Sequence, residues 1–154
     1  MMTRIDAAVE DFRKGFSCSQ AVLAAFGPDF GLDRETALKI SQVFGGGLAR
    51  SAGTCGAAAG ALLVISLKHG RTRPEDTAAR ETTYALTREF LHTFRKRHDK
   101  LDCRDLLGCD ISTADGSQKA SELKLHETLC PEFIRTAVEI LEELLDQPPA
   151  QPEA

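Results

Sequence analysis

The feature that most constrains this chain is its longest uncharged run, Ser51 to Leu67, which is rich in glycine and alanine. It falls short of a comfortable bilayer span. As a helix from near Thr54 to His69 it is apolar around most of its circumference, so it has no polar face to offer solvent. Other elements must surround it, and the place for such a helix is the centre of a bundle.

The flanking sequence supplies those elements. Ile5, Ala8, Val9, Phe12 and Phe16 follow helical spacing, and Thr3 with Asp6 forms a capping box that predicts a helix over Thr3 to Lys14. Ser17 and Gln20 repeat the signal before Ala21, Val22, Ala25 and Phe26, with Gly27 and Pro28 as the stop. Asp33 caps a third helix that carries Leu38, Ile40, Val43 and Phe44 and meets a breaker in Gly45 to Gly47.

Thr72, Pro74 and Glu75 read as the start of a long helix ending near Lys100, with Tyr84, Leu91, Phe94 and His98 towards one side. A short helix, Cys103 to Leu107, follows Asp102 and stops at Gly108. Asp110 to Leu129 is polar and least determined, with Ser117 to Leu125 able to add a turn or two. The last helix begins at Pro131 and gathers Phe133, Ile134, Ala137, Val138, Leu141, Leu144 and Leu145 on one face. With no strand signal, the expected fold is all-α: a compact bundle of about five to seven helices in one domain over residues 1–146, followed by a disordered Pro-rich tail over 147–154.

The 19 basic and 23 acidic residues give a net charge of −4 and are scattered, which argues against nucleic-acid binding. Met1 to Phe16 contains no continuous apolar stretch, so no signal peptide or membrane insertion is expected. Five cysteines without a secretion signal point to a reducing, cytoplasmic setting, where thiols serve as ligands, redox centres or core filler.

Four of the five cysteines fall at expected helix starts. Cys18 follows Ser17, Cys55 follows Thr54, Cys103 follows Asp102, and Cys130 precedes Pro131. Helix starts carry unpaired N–H groups and the positive end of the dipole, which together lower a cysteine pKa and favour a thiolate. If the four starts converge, several thiolates or an anionic cluster share one site. The competing reading is that each cysteine is a small buried hydrophobe. Cys109, after Gly108 at a helix end, lacks the dipole and reads as accessory or structural. Neither C-x-x-C nor zinc-ribbon spacing is present, so any site is assembled from distant segments.

Cys55-Gly56-Ala57-Ala58-Ala59-Gly60 resembles the CGAxxG signature of the redox-active family named C_GCAxxG_C_C. Cys18 to Leu23, Phe44 to Gly47, Cys103 to Gly108 and Cys130-Pro131 resemble the family's other landmarks, over about Phe12 to Leu145. The resemblance implies a redox role for Cys18, Cys55, Cys103 and Cys130, the four already singled out. Similar sequence also occurs within a multihaem cytochrome that carries an iron-sulfur centre, which implies a cluster as an alternative. The chain departs from the pattern in Cys109, and it has no C-x-x-C-H haem attachment motif.

Three functions therefore compete. The first is thiol/disulfide exchange with an unknown redox partner protein or small molecule, with Cys55 the first candidate for the reactive thiol. The second is a four-cysteine site at Cys18, Cys55, Cys103 and Cys130 for an iron-sulfur cluster or another thiophilic metal. The third is a noncatalytic interaction module using the long Thr72 to Lys100 helix, and a homo-oligomer is compatible with each.

Other residues carry less. Arg50 and Arg104 can stabilise nearby thiolates, although exposed arginine is more often solvated surface. His69, His92, His98 and His126 lack ligand spacing, and Ser17, Thr54 and Asp102 read as caps. Gly56 and Gly60, four apart on one helix face, allow another backbone to approach closely.

Overall fold

The computed structural model describes residues 1–146, so the tail expected to be disordered lies outside the described residues. The helices are α1 (Arg4–Arg13), α2 (Cys18–Phe26), α3 (Arg34–Ser41), α4 (Gly56–His69) and α5 (Thr77–His98). They are followed by α6 (Cys103–Leu107), α7 (Ala114–Glu122), α8 (Leu125–Thr128) and α9 (Cys130–Leu145). Among the described residues there is no strand, and the all-α class holds. Eight helices have five residues or more and α8 is a single turn, which exceeds the five to seven expected.

Local chemistry places most of these starts. Thr3 Oγ1 accepts the Asp6 amide at 3.0 Å, and Asp6 returns a bond to the Thr3 amide at 3.2 Å. Ser17 and Gln20 close the second capping box, with the Ser17 amide donating to Gln20 Oε1 at 2.9 Å. Asp33 accepts the Thr36 amide at 3.0 Å. Each bond satisfies a donor that a helix start otherwise leaves unpaired.

Three expectations about the helices are corrected. The long helix begins at Thr77 rather than Thr72, because Arg71 donates to the Pro74 carbonyl at 2.6 Å and holds a turn there. Asp76 then takes the Ala79 amide at 3.0 Å and acts as the cap. Tyr84 is 53% exposed, and the buried stripe of α5 consists of Thr83, Phe90 and Phe94. The extra helix count comes from the polar stretch: Thr113 caps α7 by accepting the Gly116 amide at 3.0 Å, so Asp115-Gly116 lies inside a helix.

α4 occupies the centre as its composition requires, packed on α2, α5 and α9. Its residues Gly56 to Ala61, Val64 and Ile65 are all buried. Around it, α9 contributes Phe133, Ile134, Val138 and Leu141, while α5 contributes Phe90 and Phe94. Each large side chain buried in this way stabilises the fold by about 1.5–3 kcal/mol. His98 joins this layer between the rings of Phe94 and Phe133, with Nε2 2.8 Å from Thr136 Oγ1. Asp11 of α1, also buried, accepts both guanidinium nitrogens of Arg34 at 2.8 and 2.9 Å and fastens α3 to α1.

The connection from α3 to α4 is unusual. α3 ends at Ser41 rather than carrying Val43 and Phe44 up to the glycines, a 3-10 turn spans Gln42–Phe44, and the chain then winds the opposite way. Gly46, Gly47, Leu48, Ala49 and Arg50 have φ of 65°, 71°, 70°, 48° and 63°. Three of these five carry a Cβ, and each costs roughly 1–2 kcal/mol in the left-handed region. Bonds from the Ala49 amide to Val43 O at 2.8 Å and the Ala52 amide to Gly46 O at 3.1 Å hold the turn closed.

Candidate thiol redox site

Cys18, Cys55, Cys103 and Cys130 line one cavity of about 940 Å³. Cys18 opens α2, Cys55 is the residue before α4, Cys103 opens α6 and Cys130 opens α9. Segments far apart in sequence thus bring these four cysteines to the lining of one cavity. Cys55 and Cys130 are buried and Cys18 and Cys103 partly exposed, and all are free thiols. Cys109, also free, is not among the lining residues.

A small ladder ties two of the segments together. Thr54 and Asp102 form an isolated antiparallel bridge, the Cys55 amide donates to Leu101 O at 2.9 Å, and the Cys103 amide donates to Gly53 O at 2.6 Å. Thr54 is therefore no helix cap, since Cys55 itself holds that position without a side-chain capping bond. Asp102 holds the cap position of α6, but its carboxylate makes no capping bond either. The first amides of α6 are spent on loop carbonyls. Arg104 is drawn into the same anchor, its Nε donating to Ala52 O at 3.1 Å, while its charge favours the Cys103 thiolate.

The glycine signature has a direct steric cause. A methyl group on Gly56 would collide with Cys18 Sγ and come within 2.9 Å of the Phe44 carbonyl oxygen. One further turn along α4, a methyl group on Gly60 would lie 2.8 Å from Ser19 O and 3.1 Å from Val22 Cβ. Gly56 makes room for the sulfur, and Gly60 lets the backbones of α2 and α4 meet.

The expectation of lowered thiol pKa values is overturned. Burial is the largest influence on all four thiols and raises each of them, Cys55 well above the ordinary value and Cys103 to about 11. Removing a thiolate from water costs more than the helix ends return. Charge on Cys18 would raise Cys55, Cys103 and Cys130 further, which makes Cys18 the electrostatic hub of the group. Main-chain N–H groups of Gly46, Ser19, Ala57 and Cys18 itself oppose its burial by favouring the Cys18 thiolate. Four such amides favour the Cys18 thiolate, against two, those of Ala57 and Ala58, at Cys55.

One partner escaped sequence reasoning. His126 Nδ1 lies 3.6 Å from Cys130 Sγ. The two are four residues apart across the junction of α8 and α9, and the helical i, i+4 relation was the only signal for the pair. His126 is exposed and lines both the thiol cavity and a second hollow of about 470 Å³ shared with Phe12, Arg13, Glu127 and Pro131. It links a buried thiol to the outside.

The four thiols are a donor set suited to a soft metal or an iron-sulfur cluster. Among the described residues, however, no group of three or more His, Cys, Asp or Glu side chains is placed to hold a metal ion. No helix of the described residues is long and apolar enough to cross a membrane.

Comparison with curated proteins gives no match, and comparison with solved structures gives none. A family model described as "Putative redox-active protein (C_GCAxxG_C_C)" matches residues 16–144. That span holds all four cavity thiols and the glycines that seat them, and the chain belongs to the C_GCAxxG_C_C family.

Proposed function

We propose that this protein passes electron pairs by thiol/disulfide exchange inside the four-cysteine cavity. The observation that carries the reading is the meeting of four free thiols from α2, α4, α6 and α9 on one cavity, with one of them amide-cradled. Such a site suits a reducing compartment such as the cytoplasm, where an unpaired dithiol persists.

The Cys18 thiolate attacks one sulfur of a disulfide R–S–S–R, the partner's S–S bond breaks, and one RS⁻ leaves. A second cavity cysteine loses its proton and attacks Cys18 Sγ, releasing the other RS⁻. Two protons go to the departing thiolates, so two cysteine thiols are oxidised to one disulfide while one disulfide is reduced to two thiols. Because the Cys18 charge opposes ionisation of its three neighbours, the thiols react in sequence rather than together. Where Cys130 is the second thiol, His126 Nδ1 is placed to accept its proton.

Thiol counting with mass mapping tests the reading. Incubation of the reduced protein with a disulfide should remove two thiols per chain and yield a disulfide between cavity cysteines, Cys18 among them. Cys18→Ser should abolish the mixed-disulfide intermediate. Four cavity thiols that remain free through a redox titration would eliminate exchange as the activity.

A further inference from the structure

The cavity carries information on what enters it. Its lining combines the buried apolar residues Leu107, Ile111 and Phe133 with the exposed residues Val43, Ala49 and Arg50. Among the described residues no aspartate, glutamate or lysine lines it, although acidic residues outnumber basic ones in the chain. Apart from the thiols, Arg50 and His126 are the ionisable lining groups among the described residues.

Arg50 is held there at a cost. It closes the left-handed turn with φ of 63°, and its amide donates to Gly45 O at 3.1 Å. The turn folds it onto Gly46 so closely that a methyl group on Gly46 would lie 2.9 Å from Arg50 Cα and 3.0 Å from Cγ. Gly46 is also one of the residues whose amide favours the Cys18 thiolate. A strained backbone thus places Arg50 on the lining of the cavity that holds Cys18. Among the described residues Arg50 pairs with no carboxylate. Backbone strain kept at a site is the mark of a position that is used.

Resting on the exchange reading above, we infer that the substrate is a low-molecular-weight disulfide bearing a carboxylate, whose anionic group meets Arg50 on the cavity lining while its sulfurs reach Cys18. The cavity volume lies within the range of about 300–1,000 Å³ that small-molecule sites occupy. The chemistry is the exchange already balanced: one substrate disulfide becomes two small thiols, and two cavity cysteines become one disulfide.

The test compares two probes on the reduced protein at low salt: oxidised glutathione, which carries carboxylates, and bis(2-hydroxyethyl) disulfide, which is neutral. Each rate of cysteine oxidation, read by acid quench and mass spectrometry, is divided by that probe's rate with a small neutral thiol. The normalised ratio should favour the anionic probe by about fivefold or more and shrink with added salt. Arg50→Gln should bring it within about twofold of unity, while Arg50→Lys keeps most of the preference. A wild-type ratio near one, or a ratio that Arg50→Gln leaves unchanged, overturns the inference. Equal loss with both probes overturns it too, because it marks Arg50 as structural. If neither probe oxidises any cavity cysteine, the exchange reading itself fails and takes this inference with it.

Discussion

At the scale of single residues, Cys130 and His126 show how a buried thiol can exchange its proton. Cys130 is 8% exposed and burial holds its thiol protonated, yet an imidazole nitrogen at 3.6 Å opens onto the exterior. Replacing the ring with an amide that cannot accept a proton should slow every step that consumes Cys130. For His126→Gln, alkylation mapped by mass spectrometry should show Cys130 labelled about tenfold more slowly, with Cys18 little changed. Equal retardation at both cysteines would assign His126 to packing. The sign error on the thiol pKa values belongs to this scale as well. A helix start is a local signal, legible from Ser17-Cys18 or Cys130-Pro131, whereas burial depends on what the rest of the chain lays over the sulfur.

At the scale of elements, the close meeting of α2 and α4 depends on residues that lack a side chain. A methyl group on Gly60 would press on Ser19 O and Val22 Cβ, neither of which has room to retreat in a packed core. Gly60→Ala should therefore destabilise the protein by about 1–3 kcal/mol, measured by urea denaturation. Gain of stability from the better helix former would show that the interface can part at no cost. The same elements show what was readable beforehand. Capping chemistry at Thr3, Ser17 and Asp33 is written within four residues and placed the starts of α1, α2 and α3, whereas the end of α3 at Ser41 came before the expected Val43 and Phe44. Thr72 carries a similar signature, but Arg71 and Asp76 compete for the same backbone, and only the folded turn shows which prevails. The start of α7, ahead of the turn or two expected over Ser117 to Leu125, stayed hidden because Asp115-Gly116 is turn chemistry unless Thr113 captures the Gly116 amide. The left-handed turn had no signal at Leu48, Ala49 or Arg50, since nothing about those side chains prefers positive φ.

For the molecule as a whole, the raised thiols link stability to pH. Cys103 titrates near an ordinary 9.0 when unfolded and at about 11 when folded. The folded state holds the proton longer, so its contribution is complete below pH 9 and is lost as pH climbs towards 11. Thermal unfolding should show a flat midpoint below that window and a decline across it. Cys103→Ser should make the decline shallower, and an undiminished slope would place its origin elsewhere. The architecture also explains why the site was legible as a set of residues but not as a volume. Four helix starts can be found one at a time, while the cavity between them is a property of packing α4 against α2 and α9.

The two-stranded ladder between Gly53–Cys55 and Leu101–Cys103 gives Cys55 and Cys103 a common mechanical fate. Both cysteines sit on one clip whose rungs are main-chain bonds, so a backbone displacement at one is passed to the other, and only side-chain rotation moves either sulfur alone. A backbone rearrangement at either cysteine therefore has to carry both loops, whereas Cys18 and Cys130, on α2 and α9, are outside that clip.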